Sequence, residues 1–400
     1  VKDMAKVLIA GGGIAGTITA IALHATGHEP VVHEAYDRTA EGVGAFLTLA
    51  VNGLDALTPL NLKGVVKGLG FDTPRIRMRL GNGREVAELP LGGPLEDGTV
   101  SQTVLRSDLY IGLRDEAIRR GIEVHYGKRL TGARETGDGV RATFDDGSSA
   151  EGDLLVGADG LRSRVRRIID PQAPSPRYVP LLNTGGVAEG LRLDGEPGVM
   201  HMTFGKRLFF AHVIHPDGGV WWFANVPRKQ EPSPADLAAM TGDAWRADLI
   251  RQLAVDRTPA VEIVRATREV YRPWATYDFP SVPTWRTDRM VIIGDAAHAT
   301  SPAAGQGASM AIEDAVTLAR CLRDLPSIPK ALAAYEGLRR ERVEAVVERG
   351  KRNGDSKAAG PVGRVIRDFF ITRAFKNPPE EDPNAFMWRH RIDWEAPALG

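Results

Sequence analysis

The chain runs to 400 residues, 43% apolar and 26% charged, a balance that excludes collagen-like, coiled-coil and intrinsically disordered chains. Its 51 Lys and Arg equal its 51 Asp and Glu, so no basic excess exists to draw nucleic acid or an anionic membrane. The single cysteine, Cys321, excludes an intramolecular disulfide and any multi-thiolate metal site. It reads as a small buried hydrophobe, no metal is expected, and a reducing cytoplasm fits.

Residues 6–10 read as a short buried strand, 11–16 as a glycine-rich turn, 17–25 as a helix stopped at Gly27, and 30–34 as the next strand. The uncharged stretch 7–23 is interrupted by four glycines and is too short to span a bilayer, so it is read as this strand–turn–helix rather than a signal peptide. A helix is expected over 107–120, ending at Gly121, and a strand over 122–126. Residues 140–144 alternate, turn at Asp145-Asp146-Gly147 and return through 151–156. From 178 to 225 the texture changes to alternating and aromatic runs, notably 200–204, 208–214 and 220–223, which predict a mostly antiparallel sheet. A helix over 234–255, a buried strand over 290–293 and helices over 307–352 and 363–375 complete the chain. The last of these mixes Val365, Ile366, Phe369 and Phe370 with Arg364, Arg367 and Arg373, and is read as a packing or subunit-contact helix in preference to one lying on a membrane.

Three segments carry chemistry. The first is Gly11-x-Gly13-x-x-Gly16 with Glu34 at the end of the next strand. In that strand–turn–helix setting the glycines permit a tight turn and close backbone approach. The helix N-terminus faces a pyrophosphate, and the acid accepts hydrogen bonds from a ribose diol. The second runs from Gly157-Ala158-Asp159-Gly160 to Arg166. On its own it reads equally as an Asp-Gly turn leading into a basic helix. The third runs from Gly294-Asp295 through Pro302, Gly305 and Gly307 to Ala315. A strand there delivers a carboxylate, and a proline-bearing turn exposes backbone amides at a new helix N-terminus.

In this order the three segments, with Arg106-Ser107-Asp108-Leu109 and the run 285–293, resemble the class A flavoprotein monooxygenases. That family includes para-hydroxybenzoate hydroxylase, salicylate hydroxylase and the tetracycline-modifying flavoenzymes. The resemblance covers residues 7 to about 352; only the stretch 42–52 matches its family counterpart loosely. It implies an α/β chain with a Rossmann-like FAD-binding domain (1–70, 100–175 and 280–325), an interleaved β-sheet substrate domain (71–99 and 176–279) and a C-terminal helical segment (326–400). It further implies that Gly11, Gly13, Ile14, Ala15 and Gly16 hold the FAD pyrophosphate, with Glu34 and Ala35 at the adenosine ribose. Arg38 and Arg106 lie along the ribityl–phosphate stretch and Leu130 meets adenine through its backbone. Asp159 and Gly160 serve the FAD site and the nicotinamide path, and Asp295 binds the ribityl chain. Pro302 faces the isoalloxazine, with Gly305, Gly307 and Ala308 at its pyrimidine edge.

The implied activity is a monooxygenase that uses NAD(P)H and O2, forms a C4a-hydroperoxyflavin and hydroxylates an aromatic or polycyclic small molecule. A flavoprotein epoxidase or Baeyer–Villiger-type oxygenase, and a flavin-bearing protein that sequesters a ligand without turnover, remain as alternatives. No Trp-x-Trp-x-Ile segment points to halogenation. His201, His212 and His215 lie on or beside the expected sheet, where core or surface roles suit them, and no catalytic base is assigned; His298 reads as structural. Phe204, Phe209, Phe210, Trp221 and Trp222 divide between an aromatic pocket and the core by strand alternation. The expected partners are a small aromatic substrate and O2, with no nucleic acid or membrane, in a monomer or homodimer.

Overall fold

A computed structural model of the chain describes residues 4–37, 45–357, 361–376, 382 and 384–399. Five strands form a wholly parallel sheet in the spatial order Met290–Ile292, Leu154–Gly157, Lys6–Ala10, Glu29–His33, Glu123–His125. The apolar run Val7-Leu8-Ile9-Ala10 suits a strand buried on both faces. Helix Ile14–Ala25 is apolar nearly all round because it lies between this sheet and helix Gly307–Asp324. It begins inside the glycine turn rather than at residue 17, since Gly13 is its N-cap.

The strand order decides where a site forms. Lys6–Ala10 leads to Glu29–His33 on one side and is flanked by Leu154–Gly157 on the other, so the order in which the chain adds parallel strands reverses there. The crevice at such a switch point, beyond the carboxyl ends of the strands, is where doubly wound sheets hold ligands. All three motifs follow adjacent strands of that edge.

A seven-stranded sheet runs in the order Trp274–Asp278, Arg177–Ala188, Val220–Pro227, Phe209–Ile214, Val199–Phe204, Arg75–Leu80, Glu85–Pro90. Every pairing is antiparallel except that of Val199–Phe204 with Arg75–Leu80. One face packs Phe210, Trp222 and Ala224 on Trp245, Leu249 and Ile263 of covering helices. The opposite face presents Phe209, Ala211, Val213, Trp221 and Phe223 towards Phe46 and Leu105. Those two belong to a small antiparallel sheet of Phe46–Leu49, Gln102–Leu105 and Gly70–Asp72, whose middle strand leads directly into helix Arg106–Arg119.

Two expected elements divide. The return strand 151–156 splits into Ser149–Gly152, paired in an antiparallel meander, and Leu154–Gly157 in the parallel sheet. Asp153 makes the switch, its carboxylate accepting the Lys6 N–H at 2.7 Å. The helix expected over 234–255 becomes Pro234–Ala239, started by a Ser233–Asp236 capping box, and Gly242–Leu253. At the C-terminal side, Ile328–Lys357 packs on Gly307–Asp324 and on the one-turn segment Pro302–Ala304. No described helix is long and apolar enough to cross a membrane.

Candidate active site

The first motif forms a cradle that only glycine permits. Gly11 has φ +103°, and a Cβ there would lie 2.4 Å from the Ala158 carbonyl oxygen of the second motif. A Cβ on Gly16 would lie 1.9 Å from the Gly11 carbonyl oxygen, so helix and strand touch backbone to backbone. Ile14 and Ala15 form the first turn of the helix, which has no side-chain cap. Its leading N–H groups therefore point into the crevice. The Glu34 carboxylate accepts the Gly12 N–H at 2.6 Å and the Tyr36 N–H at 2.9 Å. Those bonds fix it at the mouth of the turn with lone pairs to spare. Ala35 follows on the surface, and Leu130 starts the meander with its side chain buried. Arg38 and residues 42–44 lie outside the described residues.

Arg106 opens its helix on the same side. Its Nη2 is 3.4 Å from the Tyr110 hydroxyl, and a Cβ on Gly13 would sit 3.2 Å from that same oxygen. Tyr110, and beyond it Asp295, favour the charged guanidinium. Asp295 is exposed while Ala296, Ala297 and His298 behind it are buried. The third motif then turns through Pro302 and through Gly305 at φ +62°. Gly307 and Ala308 begin an 18-residue helix with neither a side-chain cap nor an acid in its first turn. Two uncapped helix starts and one exposed carboxylate thus face one crevice.

The second motif is more tightly committed than its sequence suggests. The Asp159 carboxylate accepts from Ser163 Oγ at 2.5 Å and from the N–H groups of Arg164 and Val165 at 2.6 and 3.1 Å. Burial pushes its pKa up while these bonds pull it down. Asp159 therefore locks the turn that carries Gly160, at φ +72°, and that sets the Ala158 carbonyl against Gly11. Arg166, expected in a basic helix, is buried instead. It donates to the carbonyls of Ala296 and Leu161 and lies 4.3 Å over Phe279, binding the second motif to the third.

Behind the third motif lies an ionic network that sequence reasoning missed. Asp314 accepts the Gly294 N–H at 2.9 Å and contacts His298 Nε2 at 2.5 Å and Arg339 Nε at 2.8 Å. Glu313 pairs with Arg339 and Arg342, each at 2.8 Å, and accepts from Asn52 Nδ2 at 2.7 Å. Asn52 also donates to the buried Gln306 at the Gly305–Gly307 turn. Burial alone would push Glu313 up, but the two arginines bring it down to about 2. Asp314, equally buried, is held well below the usual carboxylate range by His298 and Arg339. The only signal was the Glu313-Asp314 pair inside an apolar run. His298, read from the sequence as structural, is buried against Asp314.

These features point one way, and comparison with known proteins decides it. A family profile described as FAD binding domain matches residues 4–350. The FAD-dependent urate hydroxylase of Klebsiella pneumoniae is 32% identical over 359 residues, covering 88% of this chain and 90% of that protein. The chain belongs to the class A flavin monooxygenases. The 3-amino-4-hydroxybenzoate 2-monooxygenase of Streptomyces cremeus is likewise 32% identical, covering 87% of this chain and 86% of that protein. The crystal structure of Klebsiella pneumoniae HpxO complexed with FAD and uric acid superposes with a TM-score of 0.82 at 27% identity, covering 93% of each chain.

The residues of this monooxygenase fit FAD. The Gly11–Gly16 cradle has no room for a Cβ at either end, the uncapped helix start suits a pyrophosphate, and the acid at the turn suits a ribose. On the large sheet, strand alternation places His201 and His212 on the helix-covered face, stacked 4.7 Å apart. Burial lowers them to about 4 and about 3 respectively. His215 packs at the sheet's end against Trp221 and Phe71. Phe210 and Trp222 share the helix-covered face, while Phe204, Phe209 and Trp221 lie on the other.

Proposed function

We propose that this enzyme hydroxylates a planar, electron-rich aromatic or heteroaromatic small molecule at the layer between the large sheet and the Pro302–Gly305 turn. The reaction consumes NAD(P)H and O2: substrate–H, O2, NAD(P)H and a proton become substrate–OH, NAD(P)+ and water. The observation that carries it is the convergence of the three motifs at one switch-point crevice, backed by an apolar aromatic face on the large sheet. The relatives named for urate and for an aminohydroxybenzoate support this substrate class.

On this reading, segments 1–70, 100–175 and 280–325 hold FAD, and 71–99 with 176–279 floor the substrate layer. FAD, once bound, supplies the redox chemistry that activates oxygen. Gly11, Gly13, Ile14, Ala15 and Gly16 receive its pyrophosphate, Glu34 with Ala35 its ribose, and Leu130 its adenine. Arg106 and Asp295 flank the ribityl chain; Pro302, Gly305, Gly307 and Ala308 present the turn and its amides to the ring edge. Asp159 and Gly160 act by holding the Gly160 turn against Gly11. Phe46, Phe209 and Phe223 exclude water from the reacting face. The single buried thiol and even charge suit a cytoplasmic enzyme.

The test is anaerobic mixing of the FAD-loaded protein with NADH or NADPH across an aromatic panel, then admission of oxygen. Flavin bleaching that quickens with one compound, followed by a product one oxygen heavier, is expected. A flavin that neither nicotinamide reduces with any ligand present would sink the reading and promote the sequestering protein. An inserted ring oxygen or an epoxide would redirect it within the flavin oxygenases.

A further inference from the structure

Lys357, in the last turn of the long helix Ile328–Lys357, sits where no structural role explains its charge. Its Nζ lies 3.9 Å from the ring centroid of Phe209 and 5.9 Å from that of Phe223, both on the reacting face of the large sheet. It donates one hydrogen bond, to Asn225 Oδ1 at 3.1 Å. Asn225 Nδ2 donates to Asn183 Oδ1 and Asn183 Nδ2 to Thr276 Oγ1, each at 2.6 Å, so a polar lane crosses three strands and ends at the ammonium. Among the described residues no carboxylate pairs with Lys357, and two of its three N–H groups have no partner. Aromatic faces attract a cation but do not neutralise it. Burial alone pushes this amine down to about 7, with no charged neighbour contributing.

Its place along the helix gives the position meaning. One turn earlier, Asn353 Nδ2 lies 3.4 Å from the Ala303 carbonyl oxygen, and a Cβ on Gly350 would meet Ala304 and Thr300 at 2.8 Å. The helix therefore rests on the Pro302–Ala304 turn and carries Lys357 about 6 Å further, onto the sheet. Phe46 closes the layer from the other side, 5.8 Å from Phe223.

We propose that Lys357, oriented by Asn225, selects the substrate by its acidic oxygen, holding the phenolate or carboxylate of an aromatic compound whose ring lies against Phe209 and Phe223. This rests on the hydroxylase reading and names the group that recognises the substrate. A carboxylate or phenolate enters as the anion and pairs with the ammonium. A neutral phenol gives its proton to the free amine of Lys357, leaving phenolate and ammonium, so net charge is unchanged. The phenolate form donates more electron density to its ring, which favours attack on an electrophilic oxygen.

The experiment is equilibrium dialysis of the FAD-loaded enzyme, without nicotinamide, against matched probes: naphthol with its methyl ether, and naphthoate with its methyl ester. The wild type binds the acidic member of each pair at least about tenfold tighter. Lys357→Met, apolar and similar in length, brings the pair within about twofold while leaving the ether and ester unchanged. Asn225→Asp keeps the shape of its side chain, sets a carboxylate against the ammonium, and abolishes the same preference. It serves as the second variant if Lys357→Met does not fold. A wild type that binds no acidic probe or shows no preference, or a preference that survives in the folded variants, overturns the proposal. Oxygen uptake, measured separately, keeps the two readings apart. A preference lost in the variants without any ligand-stimulated uptake removes the hydroxylase reading alone. Uptake with a preference indifferent to Lys357 removes this one alone.

Discussion

Arg339→Met tests whether the ionic network behind the third motif is needed for stability and for flavin retention. Arg339 is almost wholly buried and lies 2.8 Å from both Glu313 and Asp314. Removing one partner of a buried pair costs about 3–5 kcal/mol, because the other charge is left desolvated. Glu313 keeps Arg342 and Asn52, and Asp314 keeps His298 and the Gly294 N–H, so the lower half of that range is expected. With an unfolding entropy of about 2.1 cal/mol/K per residue over the chain, this is a fall in Tm of about 4–5 °C. In the wild type both carboxyls titrate below their usual range, so their contribution is present above the unfolded pKa of about 4 and lost only in stronger acid. In the variant, burial, the largest influence on both carboxyls, is less well offset and raises them, so that they take up a proton as pH falls. The stability gap between the two proteins is therefore widest at pH 7 and narrows towards pH 5. Urea unfolding of both proteins across that range, with flavin fluorescence as a second probe, measures it. A loss below about 1 kcal/mol, or a gap that does not change with pH, would refute the reasoning.

Gly16→Ala forces a Cβ into the 1.9 Å approach to the Gly11 carbonyl, and overpacking of about 1–3 kcal/mol weakens FAD about 5- to 150-fold, read by cofactor titration of the apoprotein. An unchanged affinity would mean that the cradle does not hold the cofactor. The buried histidines His33, His201 and His212, lowered to about 4, 4 and 3, contribute stability above the unfolded histidine pKa of about 6.5 that is lost as pH falls towards their folded values. The unfolded chain then binds up to three more protons than the folded one, so stability drops by about 4 kcal/mol per pH unit below pH 6, visible as a falling urea midpoint. A midpoint flat from pH 7.5 to 5 contradicts this. Cys321 is buried with its thiol pushed up to about 12, so a thiol reagent at pH 8 labels it only after denaturation; rapid labelling of the native enzyme contradicts the packing.

The local chemistry of the flavin motifs was legible in the sequence, because glycine spacing, a strand before it and a helix after it are short-range properties. Lys6–Ala10 forms the expected strand and Gly11–Gly13 turn as expected, with the helix entered three residues early at Ile14. The family follows from the same motifs. What the sequence did not carry is set by which distant segments meet. Asp159 and Arg166 read as a turn and a basic helix until Ser163, Phe279 and Ala296 are placed around them. Asn52 and Arg339 lie 254 and 33 residues from Gln306, a separation at which no periodicity or spacing rule speaks. Lys357 differs from any surface lysine only through the sheet that its helix delivers it to. A side chain's type is local, but its desolvation and its partners are sums over neighbours brought in by the fold, and those sums decide which charge is solvated, which is paired and which is buried against aromatic rings.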